Sequence, residues 1–511
     1  MAGALLLLAV LWAYRFTPAL GVNSVDGWAD VAGARVTSLG ELGAQVFAPL
    51  TQGVAGDNAN FYRPIAMLWF SLLRGGFGTW GAGWQGADLG LHLLCVTLVG
   101  GLSRKMGGSD WEALGAAALV GLHPLGMDVV PALDRSPDML GTAFVLGALL
   151  ASLGGRVVLA VLLALLAVGS KETMLSALPL VIAVLWDRHG ARKALGAFGG
   201  LAAGTALYLA LRTWVLGGAG GYVGAFLRPA GLQVVLESGA LELVAAGWAL
   251  PLEEVFTTTT QQILVGSTLT ALLLGAGWAG RDEVNVRVGV LLALLPLLLL
   301  GVTSAFSRRT IYLPLCGFGV YIAAVVARAP WGKLVGVVVA GLLLPNSPLV
   351  RKDRAWTLAA AMDRSLTLGV VDAAQQVPAG QTLWMVDRCV QVDTDPWMAG
   401  MWRQGRSSVY CAAGYSVEAY LQDQLGTGLQ IKKITNSFPV APPEPATLRV
   451  EGPWLWVDRA DPERRSMRVA RDAGWEVDRQ RDSLGLRAGG ELEQPWVLVA
   501  GVEDGILVQA P

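Results

Sequence analysis

Acidic side chains that could transfer protons stand at the edge of the first long apolar stretch of the chain. Asp26 and Asp30 are four residues apart, so they share a face if their segment is helical. A carboxylate at a membrane surface with aromatic neighbours is suited to general-base catalysis. The alternative is a solvated acid that caps a short helix. For any single aspartate taken alone, that alternative is the commoner one.

A second polar segment combines a histidine, three aspartates and an arginine, namely His123, Asp128, Asp134, Arg135 and Asp138. A histidine close to carboxylates is one pattern of a metal site. No second histidine or cysteine pair stands at ligand spacing, so the pattern predicts no metal. The His-Pro dipeptide at 123–124 is more typical of the end of a helix.

Cations occupy two further polar segments. Lys171 and Glu172 are adjacent at the start of an apolar stretch, which indicates either an interfacial salt bridge or a phosphate-binding lysine held by its neighbour. Arg308 and Arg309 precede another apolar stretch. These two arginines either reach toward lipid headgroups or bind a phosphate.

The segments between these polar residues have the composition of membrane helices. The 511 residues are 54% hydrophobic and 15% charged, with a mean hydropathy of +0.51 and a net charge of −1. Soluble proteins carry about 25% charged residues. The composition excludes a disordered chain, a nucleic-acid binder and an ordinary cytosolic enzyme. It predicts a polytopic α-helical protein, integral to the cell (inner) membrane.

The hydropathy pattern predicts about eleven transmembrane helices, since a span needs about 20 apolar residues. The positive-inside rule places the basic loop 187–193 inside, so the first outer loop 20–85 and the region 349–511 lie outside. Segments 63–77 and 241–256 are predicted as interfacial or re-entrant helices. The predicted spans are roughly 2–19, 86–103, 110–125, 138–153, 156–169, 173–187, 194–214, 262–280, 287–303, 311–327 and 332–348.

The chain is predicted to contain a transmembrane domain, 1–348, and a soluble domain, 349–511. The second region holds 18 of the 38 Lys and Arg residues in under a third of the length. Its short strand-like runs and one helical stretch predict an extracytoplasmic α/β or mostly β domain. A disulfide between Cys389 and Cys411 is expected there because such compartments are oxidising. The alternative is two free buried thiols.

Taken in order, the polar segments resemble the membrane domain of the tetratricopeptide-containing O-mannosyltransferases and their bacterial relatives, which are GT-C glycosyltransferases. The matching segments are Asp26 ahead of Ser38-Leu39, Tyr62-Arg63-Pro64, Leu91-His92-Leu93-Leu94, His123-Pro124-Leu125 with Asp128, Asp138-Met139-Leu140, Ser170 to Thr173, Arg309 to Pro314 and Arg351 to Trp356. The sequence departs from the family pattern in three respects. The acidic pair is reduced to Asp26-Gly27, the arginine of the second polar segment stands at position 135 and not at 136, and the tetratricopeptide repeats are missing.

The resemblance implies an enzyme that moves a sugar from a polyprenyl-phosphate donor to an acceptor hydroxyl on the outer face of the membrane, with inversion. Asp26 is then the base and Asp30 the reserve candidate. No cofactor and no metal are expected; the acceptor is a protein, a glycolipid or a polysaccharide. The residues that would bind substrate or phosphate are Tyr62, Arg63, His123, Asp128, Arg135, Asp138, Lys171, Glu172, Arg308, Arg309 and Tyr312.

Two alternatives stay open. One is a non-enzymatic transporter or flippase for a lipid or sugar, and the other is an inactive scaffold with the GT-C fold. Transporters usually place charges at mid-membrane in broken helices. The charges of this sequence lie at span ends and in outer loops, which favours an enzyme of the outer face.

Overall fold

The structure is a computed structural model of the chain. It describes residues 1–22, 26–50, 61–218, 280–302 and 311–328, together with parts of 336–510. The predicted spans 262–280 and 332–348 and the segment 241–256 lie wholly or mostly outside the described residues, as do Arg308, Arg309, Cys389 and Cys411. The count of about eleven spans and the disulfide therefore stay predictions.

The first 328 residues are helical wherever the structure describes regular elements. Several of these helices coincide with predicted spans. The helices are α1 (Ala2–Ala13), α2 (Gly27–Gly33), α3 (Leu39–Val46), α4 (Pro64–Phe77), α5 (Gly81–Lys105), α6 (Asp110–Gly121), α7 (Ser136–Leu153), α8 (Val157–Ser170), α9 (Leu178–His189), α10 (Ala191–Leu216), α11 (Val284–Val302) and α12 (Tyr312–Arg328).

Membrane-spanning capacity follows from length and composition. Four described segments are long and apolar enough to cross a membrane, namely Ala2–Leu20, Gly81–Lys105, Leu133–Leu153 and Ala191–Leu216. Large apolar side chains on these segments, such as Leu8, Leu207 and Trp214, are exposed on the protein surface. Exposed apolar faces of this size are expected where lipid covers them, and the chain is an integral membrane protein.

Small residues allow the membrane helices to pack closely. A Cβ added at Gly317 in α12 would lie 2.7 Å from the Leu292 carbonyl carbon in α11, and one at Gly289 would lie 2.8 Å from Tyr321 N. The two helices therefore touch along their backbones, which larger residues would prevent. The interface connects to one continuous core that includes Val96, Leu146 and Val320.

Three helices, α2 to α4, lie in the segment 20–85, which was predicted as the first outer loop. Ser38 caps α3 by accepting a hydrogen bond from Glu41 N–H. Pro64 opens α4, where a residue without an N–H group is favourable. The helix α4 covers most of the segment predicted to be interfacial or re-entrant. Its place in the bilayer stays a prediction.

Both helices and strands occur after residue 353. The strands are β1 (Thr382–Arg388), β2 (Val390–Gln391), β3 (Ser408–Tyr410), β4 (Gln430–Pro439), β5 (Leu448–Glu451), β6 (Trp454–Asp458), β7 (Ala460–Pro462), β8 (Trp475–Arg479), β9 (Ser483–Ala488), β10 (Trp496–Val499) and β11 (Ile506–Gln509).

Helix α13 (Arg354–Gln376) precedes β1, and α14 (Gly414–Leu425) lies between β1 and its parallel neighbour β4. One sheet has the strand order β11-β10-β1-β4-β7 and contains both parallel and antiparallel pairs. A separate antiparallel sheet has the order β5-β6-β9-β8.

The C-terminal region packs against the loops of the helical region. Trp356, at the start of α13, donates its indole N–H to the Met127 carbonyl at 2.8 Å. An apolar cluster joins Leu20 and Ala132 of the helical region to Leu366 of α13 and to Leu498 of β10. These contacts bring the C-terminal region to the side of the molecule that holds the segments around residues 20 and 127–132.

The close approach of α11 and α12 predicts a large effect of a single methyl group. We expect Gly317→Ala to lower the free energy of unfolding by about 1–3 kcal/mol, because overpacking forces the two backbones apart. Gly199→Ala is the control, since its Cβ would meet nothing within 4 Å. Unfolding in detergent measures both variants, and equal stabilities would contradict the packing.

Candidate active site

The segment 20–85 carries its two candidate acids at α2, a helix of 7 residues. Asp26 immediately precedes the helix, and its carbonyl accepts a hydrogen bond from Asp30 N–H at 2.8 Å. The two acids therefore share a helical face, as their spacing predicts. Asp26 is half-buried, whereas Asp30 is buried with 5% of its surface exposed.

The second polar segment contributes the 3-10 turn Leu133–Arg135 and the start of α7. Arg135 Nη2 lies 3.0 Å from an Asp134 carboxylate oxygen. Asp138 stands in the first turn of α7, where a carboxylate interacts favourably with the helix dipole, and it is 2% exposed. This segment therefore holds two acids and one cation within five positions of sequence.

Two ion pairs, one buried and one partly buried, join the segment around Lys171 and Glu172 to the others. Lys171 Nζ lies 2.5 Å from both carboxylate oxygens of Asp138. Arg63 donates from Nε and Nη2 to the two oxygens of Glu172 at 2.9 and 2.8 Å. Helix α8 ends at Ser170 and Lys171 is extended, so two adjacent residues reach partners on different segments.

Asp30, which lies outside the membrane helices, has a strongly perturbed pKa. Burial raises its pKa well above the ordinary value, and the charges of Asp26 and Asp134 raise the pKa further. Arg63 and Arg135 act in the opposite direction, but they do not overcome the burial. Asp30 therefore keeps its proton to a higher pH than an ordinary aspartic acid.

The bidentate pair of Arg63 and Glu172 keeps both partners charged. Burial by itself would raise the pKa of Glu172, but the Arg63 guanidinium outweighs burial and lowers that pKa to about 2. Burial would likewise lower the pKa of Arg63, and Glu172 raises it above the ordinary value. The pair therefore stays charged at every physiological pH.

Every described cation of this group already has a carboxylate partner. Arg63 binds Glu172, Lys171 binds Asp138 and Arg135 binds Asp134. Arg135 Nε is buried and has no hydrogen-bond partner among the described residues, and the side chain is 22% exposed. Arg135 can thus accept a further anion without giving up its carboxylate.

Two other predicted site residues make contacts with residues that do not belong to this ionic group. Tyr312 is buried and its hydroxyl lies 2.6 Å from His92 Nδ1, while His92 Nε2 lies 3.3 Å from the Gly121 carbonyl oxygen. His123 Nδ1 accepts a hydrogen bond from Leu125 N–H at 3.2 Å and so caps the 3-10 turn that ends at Asp128. Helix α6 ends at Gly121, two residues before His123, in agreement with the prediction that the His-Pro dipeptide follows the end of a helix.

Tyr62 serves the packing around the Arg63 segment. Its ring stacks on Tyr208 of α10 with centroids 5.9 Å apart, and its carbonyl accepts from the Tyr208 hydroxyl at 3.0 Å. Only 1% of Tyr62 is exposed. Through these contacts, α10 fixes the backbone immediately before Arg63.

Two buried acids near the site were not among the predicted site residues. Asp134 lies next to Arg135 and raises the pKa of Asp30, which only the tertiary structure reveals. Asp88 of α5 accepts a hydrogen bond from Ser136 Oγ at 2.5 Å, and its other carboxylate oxygen has no partner among the described residues. The sequence could have indicated Asp88, because an acid inside a predicted apolar span is unusual and often functional.

Among the described residues, no group of three or more His, Cys, Asp or Glu could hold a metal ion.

Comparison with solved structures gives two matches at low sequence identity. One is ArnT from Cupriavidus metallidurans bound to undecaprenyl phosphate, 13% identical, with a TM-score of 0.45 over 96% of this chain and 99% of that chain. The other is the Archaeoglobus fulgidus oligosaccharyltransferase in complex with Zn and sulfate, 12% identical, with a TM-score of 0.38 over 82% of this chain and 61% of that chain. No family model and no curated protein matches the sequence.

The buried pair of Lys171 and Asp138 predicts a strong energetic coupling. We expect Lys171→Met to lower the free energy of unfolding by about 3–5 kcal/mol, because it leaves a buried carboxylate without its partner. The double variant with Asp138→Asn should lose less than the sum of the single variants. Arg104→Met is the control, because its pair with Asp110 is 59% and 86% exposed and should contribute at most about 1 kcal/mol. Unfolding in detergent measures the cycle, and additive losses would contradict the coupling.

The raised pKa of Asp30 predicts a pH-dependent stability. Between its unfolded-state pKa near 3.8 and its folded-state pKa, the folded protein binds more protons than the unfolded chain, so stability falls as pH rises. Asp30→Asn removes this dependence, and the advantage of the variant should grow with pH across that window. Thermal unfolding from pH 4.5 to 8 tests this. A wild-type protein that gains stability relative to Asp30→Asn on raising the pH would contradict a raised pKa.

Proposed function

We propose that the chain is a membrane glycosyltransferase that moves a sugar from a polyprenyl-phosphate donor to an acceptor hydroxyl on the outer face of the membrane. One observation supports the proposal above all others. Two acids of one short helix, Asp26 and Asp30, interact electrostatically with cations that come from two other loops, Arg63 and Arg135. Acid and cation side by side at the edge of membrane helices are what transfer from a lipid phosphate requires.

Asp26 is the proposed base. It is half-buried and therefore partly accessible to an acceptor, whereas Asp30 is buried and holds its proton to higher pH. In the reaction, the acceptor oxygen attacks the anomeric carbon, its proton passes to the Asp26 carboxylate, and the bond between that carbon and the phosphate oxygen breaks. The configuration at the anomeric carbon inverts. Asp30 contributes to the electrostatic environment of the Asp26 carboxylate.

Arg135 is the proposed contact to the leaving phosphate. It is the described cation whose Nε donor is buried and without a partner, so it can bind the phosphate while it keeps Asp134. Developing negative charge on the phosphate makes such a contact stronger in the transition state than in the ground state. Arg63 and Lys171, held in place by their ion pairs, add positive charge near the phosphate. We propose that Arg308 and Arg309 also contact the phosphate.

His123, Asp128 and Tyr312 are proposed to line the substrate path rather than to act on the sugar. Tyr14 links the set, because its ring lies 5.1 Å from that of His92 and its hydroxyl interacts electrostatically with Asp128. No metal takes part in the proposed reaction. The proposed location is the cell (inner) membrane, with the C-terminal region outside the cytoplasm. The disulfide between Cys389 and Cys411 belongs to the same proposal.

Sugar transfer from purified protein tests the function. The reconstituted protein is supplied with a panel of radiolabelled polyprenyl-phosphate sugars, with membranes of the native host lacking this gene as the source of acceptors. We expect one donor to be consumed, and Asp26→Asn to lower turnover at least about 100-fold, since general-base catalysis contributes that much. Asp30→Asn should keep a larger share of turnover.

Asp110→Asn is the matched control, since it removes an exposed carboxylate from the pair with Arg104 outside the site. It should leave turnover unchanged. A folded wild-type protein that consumes no donor would overturn the enzyme proposal, and equilibration of intact donor across the vesicle would favour the flippase. Full turnover by Asp26→Asn would remove Asp26 from the role of base.

A further inference from the structure

The acid helix α2 has an unusual N-terminal cap. The N-cap residue of a helix normally accepts a hydrogen bond from the N–H of the second or third helical residue through its own side chain. Asp26 is the N-cap of α2 and makes no such bond. Instead, the N–H of Ala29, the third helical residue, donates to Ser416 Oγ at 3.2 Å, although the two residues are 387 positions apart.

Both ends of this hydrogen bond are buried. Ala29 is fully buried and Ser416 is 3% exposed. A buried N–H without an acceptor costs free energy comparable to a lost hydrogen bond. The Ser416 hydroxyl therefore satisfies an N–H group in the first turn of α2 that the side chain of the N-cap residue does not satisfy.

The rest of the same face of α14 continues the contact. Tyr420 packs edge-on against Trp28 with ring centroids 4.6 Å apart. Asp423 accepts two hydrogen bonds from Arg74 Nη2 at 2.8 and 2.9 Å, and its side chain is only 4% exposed. Residues 416, 420 and 423 are spaced by four and three positions, so one helical face reaches both α2 and the end of α4.

A helix of 7 residues depends on such contacts. Isolated helices shorter than about 12 residues are marginal in water, so neighbouring elements set the orientation of α2. The C-terminal region has separate attachments through Trp356 and the cluster around Leu20. Loss of the Ser416 hydroxyl alone should therefore leave the region docked.

We propose that Ser416 is a positioning residue of the active site. Its hydroxyl caps the acid helix from the C-terminal region and so fixes the position of α2 and of Asp26, which precedes it. The inference rests on the proposed function, in which Asp26 is the base. It makes the C-terminal region a part of the catalytic unit, because the orientation of α2 depends on α14.

Removal of the cap has a definite consequence for the position of Asp26. Without Ser416 Oγ, the Ala29 N–H loses its acceptor, and a helix of 7 residues loses order at that end. Asp26 interacts electrostatically with Asp30 of its own helix and with Arg135. A displaced Asp26 carboxylate changes its distance to both groups, so the acidic limb of the pH–kcat profile should move.

Ser416→Thr and Ser416→Val form the matched pair, because they have the same shape and only threonine keeps the hydroxyl. We expect Ser416→Val to lower kcat about 10- to 100-fold, as misplacement of a catalytic group does, with the KM for the donor little changed. Ser416→Thr should recover most of the rate and the wild-type pH profile. Equal rates and equal profiles for the two variants would overturn the proposal.

Hydrogen–deuterium exchange of the full-length protein separates this inference from the proposed function. The segment 27–33 should exchange faster in Ser416→Val than in Ser416→Thr, whether or not the protein transfers sugar. Unchanged exchange in Ser416→Val would overturn the cap. Faster exchange in Ser416→Val together with an inactive wild-type protein would overturn the catalytic role of the cap and the proposed function together. Faster exchange with undiminished turnover would overturn the positioning role alone.

Discussion

Two consecutive residues hold the candidate site together, because each neutralises a buried or partly buried charge on a different segment. Lys171 binds Asp138 at the start of α7, and Glu172 binds Arg63 just before α4. Buried charges are tolerated only when they are paired, so displacement of either segment would expose an uncompensated charge to a low-dielectric interior. The loops that carry the acids and the cations therefore have fixed relative positions.

The C-terminal region completes this arrangement from the other side. The acid helix lies between Arg63 and Arg135 of the helical region, with which its acids interact, and Ser416 of α14. The apolar cluster around Leu20 and the hydrogen bond from Trp356 anchor the region independently of the acids. The contacts that attach the C-terminal region are therefore different from the contact between Ser416 and α2. We expect that loss of the Ser416 contact would leave the fold intact.

The sequence named most residues of the candidate site, and the tertiary structure shows which of them lie together. Residue type, spacing and the family resemblance named Asp26, Arg63, Arg135, Asp138, Lys171 and Glu172, which meet in one ionic group; their roles in the reaction stay predictions. Tyr312 was named with them but contacts His92, whose ring lies beside that of Tyr14, and His123 caps its own turn. Asp134 belongs to a polar segment that the sequence singles out, but it was not chosen as a site residue. Ser416 stands in no recognisable pattern, because its partner Ala29 is 387 positions away in sequence.

The sequence by itself determined the membrane helices, the two carboxylates on one face of α2 and the concentration of charge between apolar stretches. These properties depend on composition and on helical spacing, which are local. Only the tertiary structure decided which cation pairs with which acid, that Asp30 is buried beside two other carboxylates, and that α14 caps α2. Those properties depend on distance and desolvation between segments, and a linear pattern contains neither quantity.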